Sequence, residues 1–384
     1  MNLAYKLAYE LANELSYELT YVLAYELSYE LSYKPTYVLT YILTYVLTYI
    51  LTYEGRNFMS QNKVLYLSRA DVENVGLSME EIVESLEKMF RLKGEGKVEM
   101  PPKPGIHTRK DAFIHAMPAY IPAMNAAGMK WVSGYPDNYK KGFPYISGLM
   151  IMNDPETGIP LSIMDCTWVT AKRTGAATAV AAKYLARPDS YTIGILGCGV
   201  QGESNLEALM VVQKQISTVF AYDIFEHKTI TYVQNMKKLF PQLKFVVAKS
   251  PEEAVADSDI IVTAGPILKE PEQVIEASWY KEGAFASPVD FDSYWKPAAT
   301  KLSNKYCTDD TKQLLYYKDI GYFREIPEVY ADLGEIVAGK KAAREDNKER
   351  IMSANLGIAL DDMATGIILY EKAKKLNIGL ELPL

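Results

Sequence analysis

The chain has 384 residues, of which 49% are hydrophobic, and carries a formal net charge of −7. One hydrophobic core rarely holds so many residues, so we expect two folded domains. The negative charge and the lack of a long Lys/Arg run argue against a nucleic-acid-binding protein. Three scattered cysteines and three scattered histidines predict no disulfide framework and no metal site, and they favour a reducing, cytoplasmic location.

Residues 1–53 form a tetrapeptide repeat in which Tyr recurs at four-residue spacing. Such a repeat drifts by about 40° per unit around a helix, so it defines no stable buried face. Residues 37–53 are apolar, but half of them are Thr or Tyr and the stretch is barely long enough to span a membrane. We therefore interpret residues 1–58 as low-complexity sequence without a function of its own, and expect the working protein to begin near Met59 with no membrane partner.

The next part of the chain, as far as residue 186, predicts mixed α and β structure. Ser78 followed by Glu81 is the signature of a capped amphipathic helix, and short apolar runs between prolines predict strands joined by turns. The predicted strands cover residues 63–67, 113–116, 128–132, 148–152 and 161–164, and the predicted helices cover residues 78–93 and 167–186.

Residues 190–265 change to strand–helix–strand alternation, which predicts a parallel, doubly wound sheet. The chain is again helical in pattern beyond Asp332, and we expect its last helix to return to the N-terminal domain. The predicted strands cover residues 191–196, 219–222, 245–248 and 259–264, and the predicted helices cover residues 203–212, 333–341, 348–354 and 358–375.

A glycine motif, Gly197-Cys198-Gly199-Val200-Gln201-Gly202, follows the first of these strands and opens a helix. Its glycines suit a tight turn, the approach of a pyrophosphate to backbone N–H groups, and close packing of helix on sheet. Asp223 ends the next strand, where an acid binds ribose hydroxyls and repels a 2′-phosphate. The motif therefore predicts an NAD site, with NADP disfavoured although His227 and Lys228 lie just beyond. The alternative is a glycine-rich turn that binds nothing.

Thr263 and Ala264, at the end of the fourth predicted strand, complete the predicted cofactor site. Candidate catalytic groups lie on both sides of it. Lys130 sits in an apolar strand, where it either points outward or supplies a buried charge, and Arg173 lies in a small-residue helix, where it either binds a carboxylate or forms a surface salt bridge. Either Asp290 or Asp292 would serve as a general base, or both are solvated loop acids.

Several motifs together resemble the ornithine cyclodeaminase/mu-crystallin family, in matching order from about Met59 to near the C-terminus. The resemblance implies a homodimer with a Rossmann domain inserted into a mixed α+β substrate-binding and dimerisation domain. On this basis residues 59–186 plus 345–384 form the substrate domain, and residues 187–344 form the NAD domain. The motifs are residues 130–138, the turn at 153–158, and the stretches 170–174, 182–187 and 197–201.

The resemblance also implies roles for single residues. Lys130 matches the family's active-site lysine, Arg173 the arginine that binds the substrate carboxylate, and Asp292 the acidic base. Lys103 stands where the family usually has arginine, and Ser147 lies near a threonine that contacts substrate or cofactor.

Two departures from the family pattern fall in the predicted substrate pocket. His115 replaces the glutamate of the cyclodeaminase. The family's Asp-Cys-Pro-Gly stretch is here Asp292-Ser293-Tyr294-Trp295. These changes leave the identity of the substrate open, whereas the cofactor loop is intact.

The chemistry that the resemblance implies is NAD-dependent removal of hydride from the α-carbon of an amino acid, which yields an imine. An internal amine then closes a ring with loss of ammonia, as in ornithine cyclodeaminase. Two alternatives within the family are an amino-acid dehydrogenase and a ketimine or cyclic-imine reductase. A third is a non-catalytic, NAD-binding protein similar to mu-crystallin. In each case the expected partner is a small amino or imino acid.

Overall fold

The computed structural model describes residues 62–384, so the predictions made for residues 1–58 and for a start at Met59 lie outside it. Val64–Leu382 form one unit that contains two β-sheets. Among the described residues, no helix combines the length and apolar character needed to cross a membrane.

The first sheet is largely antiparallel. It consists of β1 (Lys63–Leu67), β2 (Gly105–Ile106), β3 (Phe113–Ile121), β4 (Ala126–Gly134), β5 (Ile146–Asn153), β6 (Pro160–Asp165) and β15 (Leu380–Pro383). The strand order is β15-β1-β6-β5-β4-β3-β2, in which β2 to β6 are antiparallel neighbours and β1 runs parallel to β6.

The second sheet is parallel throughout, as the strand–helix alternation predicts. Its strands are β7 (Thr192–Leu196), β8 (Thr218–Tyr222), β9 (Lys244–Val247), β10 (Ile260–Thr263), β11 (Phe285–Pro288), β12 (Lys305–Thr308), β13 (Ala331–Asp332) and β14 (Ile351–Ala354). The order is β13-β12-β14-β11-β10-β7-β8-β9. The direction of winding reverses between β7 and β10, and the crevice at such a switch point is where doubly wound sheets bind ligands.

Ten α-helices pack on these sheets. They are α1 (Arg69–Asn74), α2 (Met79–Gly94), α3 (Thr167–Leu185), α4 (Val200–Val212), α5 (Glu226–Leu239), α6 (Pro251–Val255), α7 (Pro297–Thr300), α8 (Thr311–Asp319), α9 (Leu333–Val337) and α10 (Ala359–Leu376), all within the described range. Helix α2 begins with the predicted capping box, since the Ser78 hydroxyl accepts the Glu81 N–H and the Glu81 carboxylate accepts the Ser78 N–H.

Helix α10 returns to the first sheet, as predicted. It packs on α2, β3 and β4, and the Ser85 hydroxyl donates to the Ala364 carbonyl at 2.8 Å. Gly366 lies so close to the sheet that a Cβ there would come 2.7 Å from Cε of Met150. The C-terminal helix therefore links the end of the second sheet to the buried face of the first.

One predicted helix is wrong. Residues 348–354 were expected to be helical, but Ile351–Ala354 form β14, paired with β11 and β12. All four residues of the strand are buried, and so short an apolar run carries no periodicity that separates strand from helix. The strand belongs to the second sheet, whereas the predicted range 345–384 placed it with the substrate domain.

Candidate active site

The glycine motif lies at the end of β7, and two of its glycines are required by packing. Gly197 has φ +102°, and a Cβ there would lie 2.5 Å from the Ala264 carbonyl oxygen at the end of β10. A Cβ on Gly202 would lie 2.3 Å from the Gly197 carbonyl oxygen. Any larger residue would therefore push the turn away from β10 or the helix away from the turn.

Gly199 is different, because a Cβ at this position would meet no atom within 4 Å. It is the N-terminal cap of α4, whose first N–H groups have no acceptor within the helix. Val200, the first residue of α4, is 65% exposed. Open space in front of a helix N-terminus suits a phosphate group, so these residues fit the pyrophosphate of a dinucleotide.

Asp223 ties the glycine motif to the end of β8. Its carboxylate accepts the Cys198 N–H and the Phe225 N–H, each at 3.0 Å. This places a fixed carboxylate beside the motif, where the sequence predicts contact with ribose. Thr263 is less suited to contact the cofactor, since its hydroxyl is already engaged within the protein. The buried hydroxyl donates to Asp290 at 2.7 Å and accepts the Trp295 Nε1–H at 3.3 Å. Its neighbour Ala264 borders Gly197 through its carbonyl group.

Lys130 and Arg173 meet at one buried carboxylate. Lys130 Nζ, on β4, lies 2.7 Å from Asp362, and Arg173 Nε, on α3, lies 3.1 Å from the same group. Arg173 also contacts Asp361 at 3.5 Å. The sequence left two alternatives open for each cation. Lys130 is buried and does not point outward, and Arg173 forms a buried ion pair and not a surface one.

Lys103 joins this cluster through Gly357. Its ammonium group donates to the Gly357 carbonyl at 3.3 Å and lies 5.1 Å from the ring centre of Tyr317. The Gly357 N–H donates to Asp309 at 2.6 Å. Gly357 has φ +79°, and a Cβ there would come 2.3 Å from a terminal nitrogen of Arg173. Lys103 and Arg173 thus both lie beside Gly357, in the short segment between β14 and α10.

The acidic half of this cluster was not predicted from the sequence. Asp309 follows β12, and Asp361 and Asp362 lie in the first turn of α10; none of the three is exposed. One Asp361 carboxyl oxygen is buried with no hydrogen-bond partner. The available signal was a pair of acids directly after a glycine and an apolar run, but acids are common in the first turn of any helix.

Burial dominates the electrostatics of the cluster. It lowers the pKa of Lys103 to about 7 and also lowers the pKa of Lys130. Burial raises the pKa of Asp361 to about 8, although Arg173 opposes the rise. For Arg173, burial acts to lower the pKa, but attraction by Asp362 and Asp361 outweighs it and the pKa is raised.

These shifts set the charge of the cluster near neutral pH. Asp361 is then mostly protonated, and the raised pKa of Arg173 keeps its guanidinium group charged. A guanidinium group can bind a carboxylate anion. Among residues 62–384, no His, Cys, Asp and Glu side chains are grouped so as to hold a metal ion.

His115 and Ser147 lie on opposite faces of the first sheet. His115 pairs with Val132, which is on the same face of β4 as Lys130, whereas Ser147 pairs with Ser133 on the other face. The Ser147 hydroxyl lies 3.2 Å from that of Ser133. The structure therefore brings His115 to the side of the cations and does not bring Ser147 there.

Asp290 and Asp292 also point to different surroundings. Asp290 is fully buried and binds the Thr263 hydroxyl and the Gly265 N–H, and burial raises its pKa to about 7. Asp292 lines a surface cavity of about 370 Å³ that also includes Arg324. Burial raises its pKa as well. In the described part of the chain, no hydrogen bond or ion pair joins Asp292 to Lys103, Lys130 or Arg173.

Comparison with known proteins finds similar sequences and structures over most of the chain. The sequence model of the ornithine cyclodeaminase/mu-crystallin family matches residues 62–377. Alanine dehydrogenase of Archaeoglobus fulgidus is 35% identical over 331 residues, which cover 83% of this chain and 97% of that protein.

Two solved structures are similar over their whole length. Δ1-pyrroline-2-carboxylate reductase of Thermococcus litoralis, in complex with NADH and L-proline, has a TM-score of 0.76 and 34% identity, and the match covers 83% of this chain and 100% of that one. An archaeal alanine dehydrogenase dimer with bound NAD also has a TM-score of 0.76, with 35% identity and coverage of 84% and 100%.

Proposed function

The chain belongs to the ornithine cyclodeaminase/mu-crystallin family, and on this premise we propose that it is an NAD-dependent enzyme acting on the carbon–nitrogen bond of a small α-amino or α-imino acid. The observation that carries the proposal is the position of two half-sites at one edge of the second sheet. The glycine motif follows β7, whereas Asp309 follows β12 and Gly357 follows β14. The C-terminal ends of parallel strands lie at the same edge, which is where such sheets bind ligands.

In this proposal the cation cluster holds the substrate carboxylate. Arg173 offers a planar fork, and Lys130 and Lys103 add positive charge beside it. Asp362 keeps Arg173 and Lys130 in place. The glycine motif and Asp223 would hold NAD, which would supply hydride-transfer chemistry for the α-carbon of the substrate.

Of the possible reactions, we favour simple oxidation or reduction over cyclodeamination. Cyclodeamination needs a second amine on the substrate, and an acidic side chain would recognise it. His115 occupies the position at which the resemblance places the cyclodeaminase glutamate. Burial and the nearby charge of Lys103 lower the pKa of His115 to about 3, so it is neutral. The relatives above 30% identity described above are a dehydrogenase and a reductase, which supports the same choice.

Asp292 is our proposal for the group that exchanges a proton with the substrate nitrogen. The raised pKa of Asp292 suits this role. The role requires that a substrate whose carboxylate is bound by the cation cluster extend far enough along the crevice to contact Asp292. Asp292→Asn should lower kcat by about 10²- to 10⁴-fold while NADH binding is retained. Glu325→Gln, in the same cavity, is the control. Unchanged kcat in Asp292→Asn would assign the proton transfer to another residue.

We also propose that the enzyme is a homodimer. On the outer face of the first sheet, Trp131 and Leu149 face each other in register and are 44% and 45% exposed. Contiguous apolar side chains on a protein surface are typical of protein interfaces, and this pair supports the proposal. Light scattering should give twice the monomer mass, and Trp131→Glu combined with Leu149→Glu should give the monomer.

Absorbance at 340 nm with a panel of substrates tests the function. Small amino acids with NAD should generate NADH, or 2-oxo acids with ammonia and cyclic imino acids with NADH should consume it. Ammonia release from a diamino acid without net NADH would show cyclodeamination instead. NADH binding without any turnover would show a non-catalytic binding protein and contradict the proposal.

A further inference from the structure

The side chain of Tyr294 lies across the C-terminal edge of β10. Its ring packs so closely on Gly265 that a Cβ at this glycine would come 2.2 Å from Cε2 of the ring and 2.7 Å from its hydroxyl oxygen. Gly265 in turn borders the glycine motif, since a Cβ on Gly197 would lie 3.1 Å from the Gly265 nitrogen. Tyr294 therefore stands next to the crevice between β7 and β10, the switch point of the sheet.

The position of Tyr294 is held by a network beneath it. Its carbonyl group accepts the N–H groups of Val274 and Ile275 at 3.0 and 2.9 Å. The buried Asp290 carboxylate accepts the Gly265 N–H at 3.0 Å, which fixes the surface on which the ring rests. The neighbouring Trp295 donates to Thr263 at 3.3 Å. The catalytic proposal gives Asp290 no function, whereas its contact with the Gly265 N–H gives it a structural one, because it holds Gly265 in place beneath the Tyr294 ring.

The Tyr294 hydroxyl is available as a hydrogen-bond donor. Among the described residues, no hydrogen bond to it is found. Burial raises the pKa of this hydroxyl, and Asp290, Asp223 and Cys198 raise it further, so the group keeps its proton.

We propose that Tyr294 is a cofactor-binding residue whose hydroxyl donates a hydrogen bond to the pyrophosphate of bound NAD. The inference rests on the proposed function, because it requires a dinucleotide in the switch-point crevice. A neutral phenol beside a helix N-terminus adds a donor to the N–H groups of α4, which face the same phosphates. The alternative is that the ring only packs on Gly265 and the hydroxyl faces water.

The experiment compares Tyr294→Phe with wild type in binding titrations with NADH, ADP-ribose and adenosine. Tyr294→Phe keeps the ring on Gly265 and removes only the donor. We expect about tenfold weaker binding of NADH and of ADP-ribose, the usual effect of losing one hydrogen bond to a charged group. Binding of adenosine, which carries neither phosphate, should be unchanged, as should the midpoint of thermal unfolding.

Tyr191→Phe is the matched control, because Tyr191 is 53% exposed and lies just before β7, at the opposite edge of the sheet. It should bind all three ligands as wild type does. Equal affinities of wild type and Tyr294→Phe for NADH and ADP-ribose would overturn the proposal, and tighter binding would overturn it by showing that the phenol obstructs the crevice. If wild type itself fails to bind NADH, the proposed function fails instead.

Discussion

Lys130 and Asp362 form an ion pair of 2.7 Å in which neither side chain reaches solvent. The lysine comes from β4 in the first sheet, and the aspartate from the first turn of α10, directly after the second sheet ends. Arg173 contacts the same carboxylate. One acid therefore pairs with two of the cations that we assign to substrate binding, and the active site depends on the correct packing of α10 against the first sheet.

Replacing this shared acid should destabilise the protein strongly. Asp362→Asn leaves Lys130 and Arg173 buried without their counter-charge, and breaking a buried ion pair in this way costs about 3–5 kcal/mol. Urea unfolding measures the loss in free energy of unfolding. The half-buried pair Lys296–Glu276 is the comparison, since Glu276→Gln should cost below about 1 kcal/mol. Similar losses in the two variants would contradict the assigned role of Asp362.

Binding of the substrate carboxylate should weaken as pH rises. Lys103, with a pKa of about 7, loses its positive charge first, and Asp361, with a pKa of about 8, then gains a negative charge beside Arg173. Both changes oppose an anionic ligand, so KM should increase between about pH 7 and pH 9. Steady-state kinetics across this range measures the effect.

Asp361→Asn isolates the second of these titrations. In that variant the increase in KM should follow the titration of Lys103 alone, so KM should become constant at a lower pH than in the wild type. A KM that is constant or falls from pH 6.5 to 9 in the wild type would exclude these two groups from control of binding.

Gly357→Ala should displace Arg173. The new methyl group would lie 2.3 Å from one guanidinium nitrogen, in addition to the strain of an alanine at φ +79°. The strain costs about 1–2 kcal/mol, and the displacement should raise KM by about tenfold or more. Gly339→Ala provides the control because Gly339 has φ +72° and open space around its Cβ position. It should lose similar stability and keep a normal KM; a normal KM in both variants would show that Arg173 does not bind the substrate.

Gly199→Ala should weaken cofactor binding without a comparable change in the stability of the fold. Its backbone, at φ −98° and ψ −163°, suits any residue, and a methyl group there meets no atom within 4 Å. Stability should change by less than about 0.5 kcal/mol. Affinity for NADH should fall by about tenfold or more, because the methyl group fills the space that we assign to the pyrophosphate. Isothermal titration with NADH measures this loss.

Gly202→Ala is the counterpart, since its methyl group would collide with the Gly197 carbonyl oxygen at 2.3 Å. It should lower the free energy of unfolding by about 1–3 kcal/mol. Undiminished NADH binding by Gly199→Ala would contradict the position that we assign to the cofactor.

Local signals in the sequence determined the parallel sheet, the glycine motif beside Asp223 and the cap of α2 at Ser78. Each depends on hydrophobic periodicity or turn chemistry over a few neighbouring residues, which one chain segment carries by itself. The same local view failed for Ile351–Ala354, because four buried residues show no period until their neighbouring strands are known.

The tertiary structure alone decided which side chains share the site. Lys130 and Asp362 are 232 positions apart, and no local pattern relates a lysine in β4 to an acid in α10. The face on which Ser147 lies depends on the pairing register, since shifting a strand by one residue reverses every side chain. The sequence by itself thus predicted a dinucleotide site, while folding determined which acids pair with Lys130 and Arg173 and how deeply these groups are buried, which shifts their pKa values.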